Sequence, residues 1–229
     1  MNLNHTLLSL LVFFLPVWVF GQANNGVFMV VKGDVKVTTS DGKIQPAKVG
    51  QKVNAGDTIE AGKESRAKVV MADKNTLNIS PESKVQIEKY VFNEASNEKQ
   101  VSLNVLYGKM RASVEQKYDG EKNTFQVKTP SAVAGVRGTD FLTQFDAGKK
   151  QAKIVTFEGA VAVGQPGPGG KILNPVIVRP GEFTTANAGS PPQPPATVPK
   201  EELAQMNKES TADAPKAGPE EKGKKEEKK

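Results

Sequence analysis

Between Gly26 and Thr185 the chain is written in short alternations of apolar and polar residues, broken every few positions by glycine. Val101, Leu103 and Val105 share one side of residues 100–106, and Met110, Ala112 and Val114 share one side of 109–114. A two-residue period places successive side chains on opposite faces of a strand and predicts half-buried β-structure. Residues 66–71, 76–79, 124–127 and 151–157 read the same way. In 84–92 the predicted inner face is Val85, Ile87 and Val91, interrupted by Lys89, while Gln86, Glu88, Tyr90 and Phe92 face outwards. No window of this region repeats its apolar residues at the spacing of an amphipathic helix.

Glycine and Asp-Gly supply the positive φ that tight connections need. Gly33-Asp34 accordingly predicts a hairpin between 27–31 and 35–39, and Ser40-Asp41-Gly42, residues 72–75, Asp119-Gly120 and Asp146-Ala147-Gly148 predict turns. Gly50, Gly56 and Gly62 mark turns beside short strands, and Gly108 is read as the break between two strands. QPGPGG at 165–170 is a loop, and Pro175 and Pro180 confine the last two strands to the sheet margin. The expected domain is all-β, a jelly-roll-like two-sheet β-sandwich of about a dozen strands, with a short β-solenoid as the alternative.

The ends differ in texture from this middle. Leu7 to Phe20 is a 14-residue apolar run broken by Ser9 and Pro16 and followed by Gly21 and Ala23. It is too short for a spanning helix and reads as a signal peptide over residues 1–23, although no Lys or Arg precedes it. Export to the periplasm is then expected, and a membrane enters only if the leader stays uncleaved. Residues 24–188 form the β domain. Residues 189–229, beginning SPPQPPATVP and ending GPEEKGKKEEKK, hold few large apolar residues beyond Val198, Leu203 and Met206. Such a segment is expected to be a disordered tail, with at most a turn or two of helix over 201–208.

The organising stretch is Thr129 to Phe141, TPSAVAGVRGTDF, in which an apolar run leads directly into Arg137, Gly138 and Thr139. A guanidinium at the edge of an apolar run needs partners, because an unpaired buried charge costs about 3–5 kcal/mol. Two readings stand: Arg137 buried and salt-bridged to Asp140 or Glu158, or Arg137 displayed to an anionic ligand or partner. The stretch resembles the hallmark of the FecR domain family, TPxAxAxVRGTxF, matched at Thr129, Pro130, Val136, Arg137, Gly138, Thr139 and Phe141. The resemblance extends over about residues 27–185, through GDTIEAGKESRAKVVMADKNTLNISPESKVQIEKY and IVTFEGAVAV. It implies an extracytoplasmic sensor or regulator module that works through protein contacts, as between an iron-citrate transporter and a sigma factor. Regulatory members of the family carry a cytoplasmic segment before a membrane helix. Only six residues precede the apolar run here, so a stand-alone envelope protein is expected.

Composition narrows the chemistry. There is no cysteine, and the one histidine is His5 in the leader. Without them a Ser-His-Asp triad, a Cys-His pair or an ordinary zinc site has no parts, so no enzyme, metal or cofactor is expected. Asp73 and Asn75 lack the further ligands of a calcium loop. Asp57, Glu60, Glu64, Asp140 and Glu158 show no spacing that separates a glycosidase pair from solvated strand ends. The net charge of +6 lies on the middle, because residues 189–229 hold eight lysines against eight acidic residues. A basic domain suits an anionic envelope polymer, the alternative to a protein partner in the envelope. Lys149, Lys150 and Lys153 beside Phe145 and Phe157 imitate a nucleic-acid platform, but export argues against that partner.

Overall fold

The longest strand, Glu98–Ser113, is 16 residues long and belongs to two sheets at once. The structure, a computed structural model, describes residues 25–118 and 123–213. Its strands begin with β1 (Gly26–Lys32), β2 (Val35–Thr38), β3 (Ile44–Pro46), β4 (Lys52–Val53), β5 (Thr58–Ala61) and β6 (Arg66–Met71). β7 (Thr76–Ile79), β8 (Ser83–Asn93), β9 (Glu98–Ser113), β10 (Asn123–Lys128), β11 (Val133–Val136) and β12 (Asp140–Asp146) come next. Then come β13 (Gln151–Glu158), β14 (Val161–Pro166), β15 (Ile172–Val178), β16 (Glu182–Asn187), β17 (Ala196–Thr197) and a helix, α1 (Lys200–Glu209).

Sheet A has the order β4-β1-β6-β7-β9-β12-β13-β16-β17. Sheet B has the order β3-β2-β5-β8-β9-β10-β11-β14-β15. Only β9 and β10 run parallel among these pairs. Phe28, Leu77, Met110, Phe141 and Ile154 of sheet A meet Val37, Ile59, Ile87, Leu103 and Phe125 of sheet B in one core, each at most 2% exposed. Each such side chain contributes about 1.5–3 kcal/mol relative to exposure, which is what holds two half-apolar sheets face to face. The all-β, two-sheet expectation stands. Within each sheet the strands follow almost in chain order, so the connections resemble a solenoid's progression more than the Greek key of a jelly roll.

The chain passes between sheets at corners, and these overturn several local expectations. Gly33-Asp34 joins β1 in sheet A to β2 in sheet B, so it is a crossing and not a hairpin turn. Gly108 does not end a strand. Residues up to Tyr107 pair with β8 in sheet B, and Gly108 onwards pairs with β12 in sheet A. Its φ is +82°, and a Cβ there would lie 2.4 Å from Glu82 O and 2.5 Å from Ser83 Cα. Lys109 N–H donates to Ser83 Oγ at 2.8 Å, so the bend is clamped where it presses on the neighbouring chain. In β8 a bulge between Ile87 and Lys89 shifts the alternation by one residue. Tyr90 turns inward at 7% exposure while Val91 is only half-buried, which explains why Lys89 interrupted the predicted inner face.

The turns at 40–42, 72–75 and 146–148 join β2–β3, β6–β7 and β12–β13 as expected. Asp119-Gly120 lies outside the described residues, as do residues 1–24. No helix of the described residues is long and apolar enough to cross a membrane. At the β6–β7 turn Asp73 is buried and structural. Its carboxylate accepts from Asn75 Nδ2 at 2.7 Å and from Tyr118 OH at 2.5 Å, and its N–H donates to Tyr90 OH at 2.8 Å. Burial, reinforced by the Asp73 charge, pushes the Tyr90 and Tyr118 hydroxyls far above the ordinary tyrosine range. Burial and Glu60 also raise Tyr107, the third and last tyrosine. A folded pKa above the unfolded value of about 10 means that stability is intact below pH 10 and lost as pH rises beyond it. The expected result is that Tyr90 and Tyr118 add no tyrosinate absorbance near 295 nm at about pH 10–11 and ionise only with unfolding. Three tyrosines titrating near pH 10 in the folded protein would refute this.

The expected tail begins too early. Residues 196–209 form β17 and α1, and Val198 and Ala212 are buried at 3% and 1%. Local composition underrated them because their apolar surface is buried against sheet A and not within the segment. Residues 214–229 lie outside the described residues. β17 also becomes the edge of sheet A, which the sequence assigned to residues 181–185.

Candidate functional site

The stretch 129–141 builds the corner at which the chain leaves β11 in sheet B for β12 in sheet A. Thr129 Oγ1 accepts from Ser131 N–H at 3.2 Å and Ala132 N–H at 2.9 Å, a side-chain-closed turn with Pro130 exposed at its tip. Ser131 Oγ donates to Lys150 O at 2.6 Å and ties this turn to the β12–β13 hairpin. Val136 and Phe141 enter the core at 7% and 0% exposure. Thr139 is buried, and its carbonyl accepts from Val114 N–H at 2.8 Å. Gly138 has φ +62° with open space around its Cβ position, and the neighbouring Gly159 packs against its carbonyl. The motif is therefore mainly an architectural joint.

Arg137 is exposed, so the buried-arginine reading of that residue does not hold. Glu158, opposite Asp140 in the β12–β13 register, is exposed as well. Asp140 is held instead by Arg111, buried at 7% exposure, in a fork: Nε to Oδ1 at 2.8 Å and Nη2 to Oδ2 at 2.6 Å. The guanidinium stacks 4.3 Å above the Phe157 ring. Its remaining nitrogen donates to Asn207 O at 2.9 Å, Asn207 Oδ1 at 2.6 Å and Ser210 Oγ at 3.1 Å. Arg66, also buried, donates to the carbonyls of Glu209 and Thr211.

These contacts define a seat on the outer face of sheet A, filled by α1. Leu142, Val155 and Val198 form a small second core there, with Phe157, Phe183, Leu203 and Met206 packed against it. The two arginines meet the C-terminal end of the helix, where its carbonyl dipoles favour positive charge. Asn78 Oδ1 accepts from Ala212 N–H at 3.2 Å, and Lys153 pairs with Glu202 at 3.5 Å. Lys153 also lies over Phe183, and Phe145 is buried, so these residues do not make a stacking platform for bases. Sequence reasoning missed Arg66 and Arg111 because outward strand positions are ordinarily solvated. The available signal was the spacing of Leu203 and Met206 behind Pro199, with Glu201 and Glu202 in the first turn.

Over β8, β9 and β10 the outer face of sheet B is polar. A groove of about 510 Å³ is lined by Lys89, Gln100, Ser102, Gln126, Lys128 and Lys171, and the loop carrying Gly170 leans over it through a 2.8 Å bond from Gln126 Nε2. Glu88 accepts from Lys128 at 2.7 Å and Ser102 at 2.8 Å; these bonds outweigh its burial and lower its carboxyl pKa. Asp57 is buried and accepts the N–H groups of Ser40 and Asn54, a turn cap. No group of three or more metal-ligating side chains occurs among the described residues.

A family model described as FecR protein matches residues 57–162. No curated protein matches the chain. Among solved structures, a candidate anti-sigma factor from Parabacteroides distasonis is similar over 66% of this chain and 64% of its own, at 14% identity and a TM-score of 0.50. A second structure of that description gives 15% identity over the same shares and a TM-score of 0.49. The chain thus spans slightly under two thirds of those proteins' length.

Proposed function

We propose that this chain, whose residues 57–162 match the FecR family model, is an exported, non-enzymatic module that acts by recognising a protein partner in a signalling or regulatory relay of the bacterial envelope. The observation that carries the reading is the state of β15. It is the terminal strand of sheet B, and it exposes Leu173 and Ile177 at 42% and 45% beside an open edge. An edge of this kind accepts an added strand, main-chain bonds supplying affinity and alternate side chains specificity. Arg137 stands exposed at the corner where the joint of residues 129–141 reaches the surface. The fold likeness to a candidate anti-sigma factor supports a place in regulation. The test is a photo-crosslinking amino acid at position 173 or 177 of the full chain in cells. A discrete protein adduct from the envelope is expected, and its absence from protein recovered in that fraction would overturn the reading.

The sheet B groove favours a second reading, an anionic envelope polymer held by Lys89, Lys128 and Lys171. Retention on an anionic polysaccharide would then fall steeply between low and physiological salt, and Lys128→Glu with Lys171→Glu would abolish it. Retention that ignores both salt and these charges removes this reading.

A further inference from the structure

We infer that the seat beneath α1 is a receptor for a partner's helix, and that α1 occupies it as a displaceable stand-in. The inference rests on the protein-recognition reading above and names a surface for it. The Arg111 side of the seat has partners of its own besides α1. Arg111 is held by the Asp140 fork and the Phe157 ring, all three supplied by sheet A. Arg66, Arg111, Asp140, Leu142 and Phe157 fall within the matched FecR segment, whereas α1 lies beyond its end. The arginine side of the receptor therefore lies within the matched segment, while Phe183, Val198 and the present occupant lie beyond it.

The occupant fits loosely. α1 has ten residues, none of them buried, and its N-cap, Pro199, offers no side-chain bond. A helix that short is marginal by itself, so it persists only while docked. Open clefts of about 350 and 300 Å³ run beside it, one against Arg66, Leu142 and Met206, the other against Arg111, Phe157 and Leu203. Both bonds from the buried Arg66 go to neutral main-chain carbonyls of residues 209 and 211. A guanidinium so placed binds a carboxylate more strongly than a carbonyl. The fitting partner is an amphipathic helix with two large apolar residues three positions apart, as Leu203 and Met206 are, ending in an acidic group or a free carboxyl-terminus over Arg66. Helices of this pattern dock into grooves through such anchors.

The experiment uses the full chain and, as probe, a fluorescent free-acid peptide of residues 198–213. Leu203→Asp with Met206→Asp ejects α1 while leaving the sandwich core untouched. The ejected chain should bind the peptide at least about tenfold more tightly than the unmodified chain, and adding Arg66→Gln should reverse that gain. Equal binding by unmodified and ejected chains, or none by the ejected chain, overturns the inference. Hydrogen exchange on the unmodified chain guards against a variant that fails to fold: α1 amides should exchange well before those of β9, and equal protection overturns the inference too. A crosslinked partner at β15 with no peptide binding would sink the seat and spare the recognition reading. Peptide binding with no envelope adduct would do the reverse.

Discussion

Gly108→Val is expected to yield a chain that folds poorly or melts at least about 10 °C lower. Two costs add at this position. A β-branched residue at φ +82° is strained by about 1–3 kcal/mol, and forcing a side chain into filled space costs about 1–3 more. The space is filled by backbone, Glu82 O and Ser83 Cα, which cannot rotate away as a side-chain tip would. Relief would have to come from straightening β9, which carries strands of both sheets on its two halves. Gly138→Val isolates the torsional part, since φ there is +62° but nothing lies within 4 Å of the added Cβ. Thermal melts should rank Gly108→Val well below Gly138→Val. Equal melting temperatures would show that the bend is not a constraint on the fold.

Arg111→Ala is expected to cost about 3–5 kcal/mol, the penalty of stranding the other half of a buried pair. It leaves Asp140, whose side chain is 18% exposed, without its fork, uncovers Phe157 and frees the end of α1. Arg111→Lys should recover only part of the loss, because an ammonium cannot reproduce a planar bidentate contact. Asp140→Ala combined with Arg111→Ala should cost less than the two single changes together, as members of one network do. Arg137→Ala should stay within about 1 kcal/mol of the parent, because ion pairs of an exposed side chain are worth little more. Chemical denaturation of these variants tests all four statements. A loss at Arg137 as large as that at Arg111 would return the structural role to the residue the sequence singled out.

The prominence of Arg137 in the sequence came from its setting, a charge at the end of AVAGV. The setting was informative about the joint and not about the charge. Val136 and Phe141 go into the core and Thr129 closes the turn, while Arg137 projects from the corner they make. Arg111 gave the opposite impression. It alternates with Met110 and Ala112, and alternation places it on an outer face without saying whether another segment covers that face. Tyr90 shows a third case, in which one bulged residue exchanges inner and outer faces for the rest of its strand.

By itself the sequence determined the class of fold, most of the strands, the hairpin turns at 40–42, 72–75 and 146–148, and the likeness of the joint to the FecR family, whose model matches residues 57–162. Those properties are set within a few residues, by the two-residue period of apolar side chains and by glycine and Asp-Gly geometry. The tertiary structure decided that Gly33 and Gly108 are crossings between sheets, that Arg66 and Arg111 and not Arg137 are buried, and that residues 196–213 fold back over sheet A. Each of these depends on partners far away in the chain, such as Ser83 for Gly108 and Asn207 for Arg111. A pattern read over neighbouring positions carries burial against its own strand, but not against a segment nearly a hundred residues away.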